Sequence, residues 1–173
     1  MPEMKLFLLV TLVFCVSCSH TYYVVRHAEK ESAAPNMSSD VPLSAEGKIR
    51  AQKLKEILAK KRISAVFSTN TIRTKSTGQP TADHFGLSIQ EYGPRPDSAF
   101  IVKLKSMKKN VLIVGHSNTV DDIVNGLCGE KKVPGDLPDN EYNKLYEVRF
   151  KGKKINFTEA SIYPYTIPPN PKF

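Results

Sequence analysis

Two histidines and two arginines stand where the chain leaves predicted strands or enters a predicted helix. Arg26 and His27 directly follow the apolar run Tyr22–Val25, His116 follows a second apolar run, and Arg73 lies near the start of a helical segment. A neutral imidazole with one free nitrogen can act as a nucleophile. Guanidinium groups disfavour a neighbouring imidazolium and match phosphate oxygens two at a time. These residue types suit the chemistry of phosphoryl transfer, in which positioning and charge stabilisation supply much of the catalysis.

Strands and helices alternate along most of the chain. Short β-rich apolar runs predict four strands, at Tyr22–Val25, Ser64–Phe67, Leu87–Tyr92 and Val111–Val114. Helical spacing of apolar residues predicts the segments between and after them: Ser44 to about Lys61, Thr71 to about Phe85, Phe100–Met107 and Val120–Leu127. We expect Pro80 to interrupt the second helix and Gly86 to end it.

The last part of the chain changes character. Leu145–Phe150 alternates apolar and polar residues, and Lys151–Lys153 then turns into Ile155–Phe157, which predicts a hairpin. The 173 residues suit one domain. The alternation predicts an α/β fold, a three-layer α/β/α sandwich with a mainly parallel central sheet. Ligands of such sheets bind beyond the carboxyl ends of the strands, which is where Arg26-His27 and Gly115-His116 are expected.

Four stretches in this order resemble the signatures of the histidine phosphatase superfamily, the phosphoglycerate mutase-like clan. The resemblance runs from about Tyr22 to Gly126. It is carried by Arg26-His27-Ala28-Glu29, by Asp40–Gly47, by Phe67-Ser68-Thr69 with Arg73-Thr74 and Thr77, and by Val114-Gly115-His116-Ser117. It implies the phosphoglycerate mutase-like form of the α/β/α sandwich.

The resemblance also implies a reaction and the residues that carry it. His27 is then the nucleophile that forms a covalent phosphohistidine, and Arg26, Arg73 and His116 surround the transferred phosphoryl group. Neither a metal nor another cofactor is expected. The implied activity is hydrolysis of phosphomonoesters, and the implied partner is a small anionic phosphorylated substrate. Two roles stay open for Ser117, a contact to the phosphoryl group and a helix cap.

The group that protonates the leaving oxygen is harder to assign. In many members of the superfamily a carboxylate after the third strand supplies this proton, and Glu91 is the nearest match, followed by Asp97. In the phytase and acid phosphatase branch an aspartate follows the second histidine, but Ser117 stands there in this chain. Asp121 and Asp122 lie further along the following helix, where the helix dipole also stabilises acidic residues near the amino terminus.

Residues 1–18 are interpreted as a signal peptide. Leu6–Val16 is apolar but too short to span a bilayer, and it follows the basic residue Lys5. Cys15–Cys18 resembles the lipobox of bacterial lipoproteins, which predicts lipidation of Cys18, export, and anchoring to a membrane of the cell envelope. The domain is then residues 19–163, and residues 164–173 are a proline-rich tail. Cys128 is interpreted as a small apolar residue rather than a nucleophile.

The formal net charge of +8 favours anionic partners. The basic residues are dispersed, and no RNA-binding signature or zinc-finger spacing accompanies them, so no nucleic-acid partner is predicted. Three alternatives to a phosphatase remain. The first is phosphoryl transfer of the phosphoglycerate mutase type, which demands a closed lid over the phosphoenzyme. The second is a non-catalytic module that binds phosphorylated ligands on the same scaffold. The third is a basic protein that binds nucleic acid or a lipid surface, and it rests on the charge alone.

Overall fold

Four parallel strands and an antiparallel hairpin form one six-stranded sheet in the computed structural model, which describes residues 19–32 and 40–162. The strands are β1 (Ser19–Arg26), β2 (Ala65–Ser68), β3 (Ile89–Glu91), β4 (Val111–Gly115), β5 (Lys144–Lys151) and β6 (Lys154–Ser161). The helices are α1 (Ala45–Leu58), α2 (Ile72–Phe85), α3 (Ser98–Met107) and α4 (Val120–Cys128). The strand order is β3-β2-β4-β1-β5-β6, with β5 and β6 antiparallel to their neighbours.

Helices cover both faces of the sheet. On one face the strands pack against α3 and α4, through residues such as Phe67, Ile113, Leu104 and Ile123. On the other face they pack against α1 and α2, through the alternate residues of the same strands. The predicted three-layer α/β/α sandwich with a mainly parallel sheet is therefore confirmed.

The register of the two central strands brings the predicted site residues together. β1 and β4 are parallel neighbours, and Arg26 pairs with Gly115 at their carboxyl ends. The backbone N–H of His27 donates to the carbonyl of Gly115 at 2.8 Å. His27 and His116 therefore leave adjacent strands at the same edge of the sheet.

Two predicted helix features differ from the structure. Helix α1 ends at Leu58, before Lys61, and the chain then adopts a left-handed conformation at Arg62 (φ 50°), which no helix can continue through. Helix α2 runs unbroken through Pro80. Proline removes one helical hydrogen bond, and burial of Thr81 and Ala82, which follow it, holds the helix on the sheet. Gly86 ends α2 in the left-handed conformation, as predicted.

Several sequence-based expectations lie outside the described residues. These are the signal peptide, the lipobox with Cys18, and the tail 164–173. Within residues 19–32 and 40–162, no helix has both the length and the apolar character needed to cross a bilayer.

Candidate active site

The side chain of His27 is buried beside the carboxyl end of β1. Its Nδ1 lies 2.8 Å from the carbonyl oxygen of Ala28, which only accepts hydrogen bonds, so Nδ1 carries the proton. Nε2 is left with its lone pair. Burial, followed by the charges of Arg26, Arg73 and His116, lowers the pKa of His27 to about 3, although the bond to Ala28 opposes this shift. His27 is therefore neutral at physiological pH, as a nitrogen nucleophile must be.

His116 faces His27 across the site. Its Nδ1 lies 3.4 Å from Nη2 of Arg73, which only donates, and its Nε2 lies 2.8 Å from Oγ1 of Thr69. The imidazole is thus held by one partner on each nitrogen. Burial lowers the pKa of His116 to about 4, and the charges of Arg73 and Arg26 add to the shift, while Asp40 opposes it.

A network of threonines connects α2 to the two histidines. Oγ1 of Thr69 contacts Oγ1 of Thr74 at 3.1 Å as well as His116, and both threonines are buried. Oγ1 of Thr77 donates to the carbonyl of Arg73 at 2.8 Å and accepts the N–H of Ala28 at 2.9 Å. These hydroxyls fix the first turn of α2, and with it Arg73, against the segment that carries His27.

Arg26 is held by a loop far away in sequence. Its Nη1 donates to the carbonyls of Pro138, Asp139 and Glu141 at 2.8, 3.1 and 3.3 Å. Its guanidinium carbon lies 4.2 Å from the centre of the Tyr142 ring, a cation–π arrangement. The Nε of Arg26 is buried without a hydrogen-bond partner among the described residues. The guanidinium of Arg26 is therefore fixed in place, and its buried Nε–H has no acceptor among the described residues.

A further set of contacts holds the segment after His27 against α1. The carboxylate of Glu29 accepts Nε–H and Nη2–H of Arg50, and its backbone carbonyl accepts the N–H of Ser44 at 3.0 Å. A Cβ at Gly47 would overlap that same carbonyl oxygen. Gly47 therefore permits the close approach of α1 to this segment.

These groups converge on a cavity of about 830 Å³. The residues that line it are Arg26, His27, Lys30, Arg73, Pro94, Arg95, His116, Ser117, Asn118 and Asp136. The structure thus brings together five sequence-predicted residues, His27, Arg26, Arg73, His116 and Ser117. Four of the lining residues are always cationic at neutral pH, and only Asp136 among them is anionic, so the cavity suits an anion.

The carboxylates considered as general acids do not line this cavity. Glu91 ends β3 and forms an ion pair with Lys75 at 2.6 Å, half exposed to solvent. The side chain of Asp97 caps α3 by accepting the N–H of Phe100. Asp121 and Asp122 lie in the first turn of α4, whose N-cap is Thr119 rather than Ser117. The structure therefore does not bring Glu91 to the nucleophile.

Sequence reasoning did not single out Lys30, Arg95, Asn118 or Asp136. They come from loops whose sequences have no periodicity to place them, and only the folded topology brings them to the strand ends. Cys128 is a free cysteine, half-buried, and burial raises the pKa of its thiol. Within the described parts of the chain, no group of three or more His, Cys, Asp or Glu side chains is arranged to hold a metal ion.

Part of the chain matches the model of a known protein family. The model of the histidine phosphatase superfamily (branch 1) matches residues 22–93, which include Arg26, His27 and Arg73. This match covers 72 of the 173 residues of the chain. No curated protein is similar enough to the chain to count as a match.

Solved structures share the fold at low sequence identity. SixA of Agrobacterium tumefaciens, assigned as a phosphohistidine phosphatase, is 19% identical with a TM-score of 0.62, over 82% of this chain and 97% of that one. A mycobacterial glucosyl-3-phosphoglycerate phosphatase is 11% identical with a TM-score of 0.61, over 83% and 98%. A structure from Escherichia coli that is assigned as an α-ribazole-5′-phosphate phosphatase is 13% identical, with a TM-score of 0.60. The match covers 82% of this chain and 96% of that one.

Proposed function

We propose that the protein is a metal-independent phosphatase that hydrolyses phosphomonoesters through a covalent phosphohistidine on His27. The observation that supports this best is the state of His27. Its ring is neutral, its Nδ1 proton is fixed by Ala28, and it lies in a cationic cavity beside two arginines. A protein that only binds phosphorylated ligands has no need of a prepared nucleophile.

The first chemical step transfers the phosphoryl group to the enzyme. Nε2 of His27 attacks phosphorus, the N–P bond forms, and the ester P–O bond breaks with its electron pair on the leaving oxygen. Arg26 and Arg73 balance the charge on the phosphoryl oxygens. In the second step water attacks phosphorus, the N–P electron pair returns to Nε2, and inorganic phosphate leaves.

Binding of the phosphoryl group also changes the protonation of His116. In the ligand-free site Arg73 donates to Nδ1 of His116. A dianionic phosphoryl group competes for the donors of Arg73 and raises the pKa of His116 by its negative charge. His116 then takes up a proton at Nδ1 and donates it in a hydrogen bond to a phosphoryl oxygen.

Asp136, once it has taken up a proton from water, is better placed than Glu91 to protonate the leaving oxygen, and the carboxylate that remains can accept a proton from the attacking water in the second step. Asp136 is the carboxylate among the residues that line the cavity, whereas Glu91 pairs with Lys75 outside it. Asp136→Asn should slow hydrolysis of alkyl phosphates about 10²–10⁴-fold and that of nitrophenyl phosphate much less, because nitrophenolate leaves without a proton. Glu91→Gln is the matched control and should slow neither substrate.

A second candidate substrate is a phosphoryl group carried on a histidine of another protein. The cavity rim is formed by exposed residues, Lys30, Pro94, Arg95, Asn118 and Asp136, so a group on a protein surface can reach His27. SixA, with which the chain shares its fold, is described as a phosphohistidine phosphatase. Transfer from one imidazole to another exchanges one P–N bond for an equivalent one. The same exposed rim disfavours the mutase alternative, which must exclude water from the phosphoenzyme.

We also propose that the protein is exported and anchored through a lipid on Cys18. The lipobox resemblance and the apolar run before it support this. Metabolic labelling with a radioactive fatty acid should label the wild-type protein and not Cys18→Ala. Equal labelling of both would refute the assignment of the anchor.

The catalytic proposal is tested by assaying the full chain with a metal chelator on phosphomonoesters and on phosphoramidate. Wild type should hydrolyse at least one of these, and His27→Ala should not. His84→Ala, a histidine on the exposed end of α2, is the control and should keep wild-type rates. Phosphate binding without turnover on any substrate would favour the non-catalytic module instead.

A further inference from the structure

Basic residues are concentrated at the amino ends of the parallel strands. His27 lies at the other end of the sheet, where the carboxyl ends of these strands meet. Lys60, Lys61 and Arg62 follow α1, and Lys108 and Lys109 precede β4. The β5–β6 hairpin adds the basic residues of segment 149–154. We call the basic residues of segments 60–62, 108–109 and 149–154 the basic face.

Hydrogen bonds join these segments into one surface. The side chain of Asn110 accepts the N–H of Thr21 at 2.8 Å and donates to the carbonyl of Lys61 at 2.5 Å. The backbone carbonyl of Asn110 accepts the N–H of Ser64 at 2.9 Å. Arg149 donates to Oγ of Ser19 at 3.3 Å, which attaches the hairpin to the start of β1. The charges of the basic face are therefore held together by the fold.

The basic face also contains a concave centre and an exposed apolar residue. Lys60, Lys61, Arg62 and Arg149 line a cavity of about 280 Å³, and Glu147 is the carboxylate among its lining residues. Ile155, which follows Lys154 in the hairpin, is 40% exposed. An apolar side chain next to several cations is the composition that suits the interface of an anionic bilayer.

The position of Ser19 indicates which anionic partner this face meets. Ser19 begins β1 and pairs with Lys151, so the chain enters the domain in the middle of the basic face. The apolar run Leu6–Val16 ends only three positions before Ser19. A membrane that holds this run or a lipid on Cys18 therefore lies against the basic face, without an intervening spacer.

We propose that the basic face docks the domain on the anionic phospholipid surface of the membrane. In this orientation β1 points away from the bilayer, and its eight residues separate Ser19 from Arg26 by about 23 Å. The cavity that contains His27 then opens toward the aqueous phase. This orientation rests on the proposed membrane anchoring of the chain near Cys18, and it does not depend on whether the chain is a phosphatase.

Vesicle binding of the full chain with Cys18→Ser tests the proposal, because that change removes any acyl chain from the measurement. The readout is the ratio of binding to vesicles containing phosphatidylglycerol over binding to pure phosphatidylcholine, which cancels the contribution of the apolar run. In that background Lys60→Gln with Lys109→Gln lowers the net charge by two, as does Lys48→Glu on the first turn of α1. The binding ratio should fall about 30-fold in the double lysine variant, because each lysine contributes about 1 kcal/mol. In Lys48→Glu it should fall less than threefold.

Three results would overturn the proposal. The first is an equal loss in the two variants, which would show that net charge alone drives binding. The second is a wild-type ratio near one at low ionic strength. The third is tighter binding to duplex DNA than to anionic vesicles at the same salt concentration, which would assign the basic face to nucleic acid.

Discussion

The rings of His27 and His116 lie with their centroids 5.5 Å apart and their planes at 68°, at the ends of two hydrogen-bonded parallel strands. The two imidazoles are held in complementary states. His27 donates through Nδ1 and keeps a lone pair on Nε2, whereas His116 accepts from Arg73 through Nδ1 and contacts Thr69 through Nε2. His27 is therefore in the state in which it can attack phosphorus. His116 can take up a proton at Nδ1 when the negatively charged phosphoryl group binds.

These two histidines predict that the folded state loses stability in acid. In the native state the pKa is about 3 for His27 and about 4 for His116, below the ordinary value of 6.5. Between these values the unfolded chain binds more protons than the folded one. The stabilising contribution is therefore complete above pH 6.5 and is lost as the pH falls toward 4. Urea unfolding at pH 7 and pH 5 measures the effect.

The control for this experiment is a histidine outside the site. His27→Asn should show a smaller difference in the free energy of unfolding between the two pH values than wild type. Exposed His84, changed to Asn, should keep the wild-type difference. An identical difference in all three proteins would mean that burial of His27 does not set the pH dependence.

Thr69 is predicted to act as a positioning residue for His116. Thr69→Val keeps the shape of the side chain and removes the oxygen 2.8 Å from Nε2 of His116, so kcat should fall about 10- to 100-fold. The titration of His116, followed by NMR, should change as well, which a purely structural role would not require. Unchanged kcat and unchanged titration would contradict this role.

Thr81→Val is the matched control for Thr69→Val. Thr81 is fully buried on α2, and its hydroxyl has no hydrogen-bond partner within the part of the chain that the structure describes. Removing such a group relieves a desolvation cost, so this variant should keep wild-type kcat and gain about 1 kcal/mol in the free energy of unfolding.

Tyr142 is predicted to hold Arg26 through its ring. The guanidinium lies 4.2 Å from the ring centre, while the hydroxyl contact is long, at 3.5 Å. Tyr142→Phe should therefore keep kcat/KM within about twofold of wild type. Tyr142→Ala should lower it about 5- to 30-fold, the equivalent of a cation–π contact of about 1–2 kcal/mol. If Phe and Ala cost the same, the hydroxyl rather than the ring holds Arg26.

Gly47 is predicted to tolerate no side chain. Gly47→Ala places Cβ against the carbonyl of Glu29, two residues after the nucleophile, and should cost about 1–3 kcal/mol in the free energy of unfolding and reduce activity. Gly135→Ala is the control, because a Cβ there meets nothing within 4 Å. Thermal unfolding of both variants tests this, and equal melting temperatures would show that α1 can move away.

The sequence predicted the parts of the fold that local patterns determine. The apolar runs located β1, β2 and β4, and the rule that ligands bind at carboxyl strand ends selected His27 and His116 before their register was known. The helical segment predicted from Ser44 is α1, and Ser44 is its N-cap, where its side chain accepts the N–H of Gly47. These features depend on short-range periodicity and capping, which one sequence contains.

Features that depend on long-range contacts could not be predicted in this way. Arg26 is held by carbonyls more than 110 positions away, in a loop without any periodic pattern. Glu91 was expected at the site because it ends the third strand, but Lys75 on the adjacent helix holds it in an ion pair. Asp136 reaches the cavity through the same kind of irregular loop, and no local signal in the sequence marks it.

The most direct test of the mechanism is to trap the phosphoenzyme. The full chain is mixed with a ³²P-labelled phosphomonoester that it hydrolyses, in the presence of a chelator, and quenched with base within milliseconds. We predict an acid-labile, base-stable label on the peptide that contains His27, and no label in His27→Ala. Label on a peptide containing His116 instead, or turnover without any labelled protein, would contradict the assignment of His27 as the nucleophile.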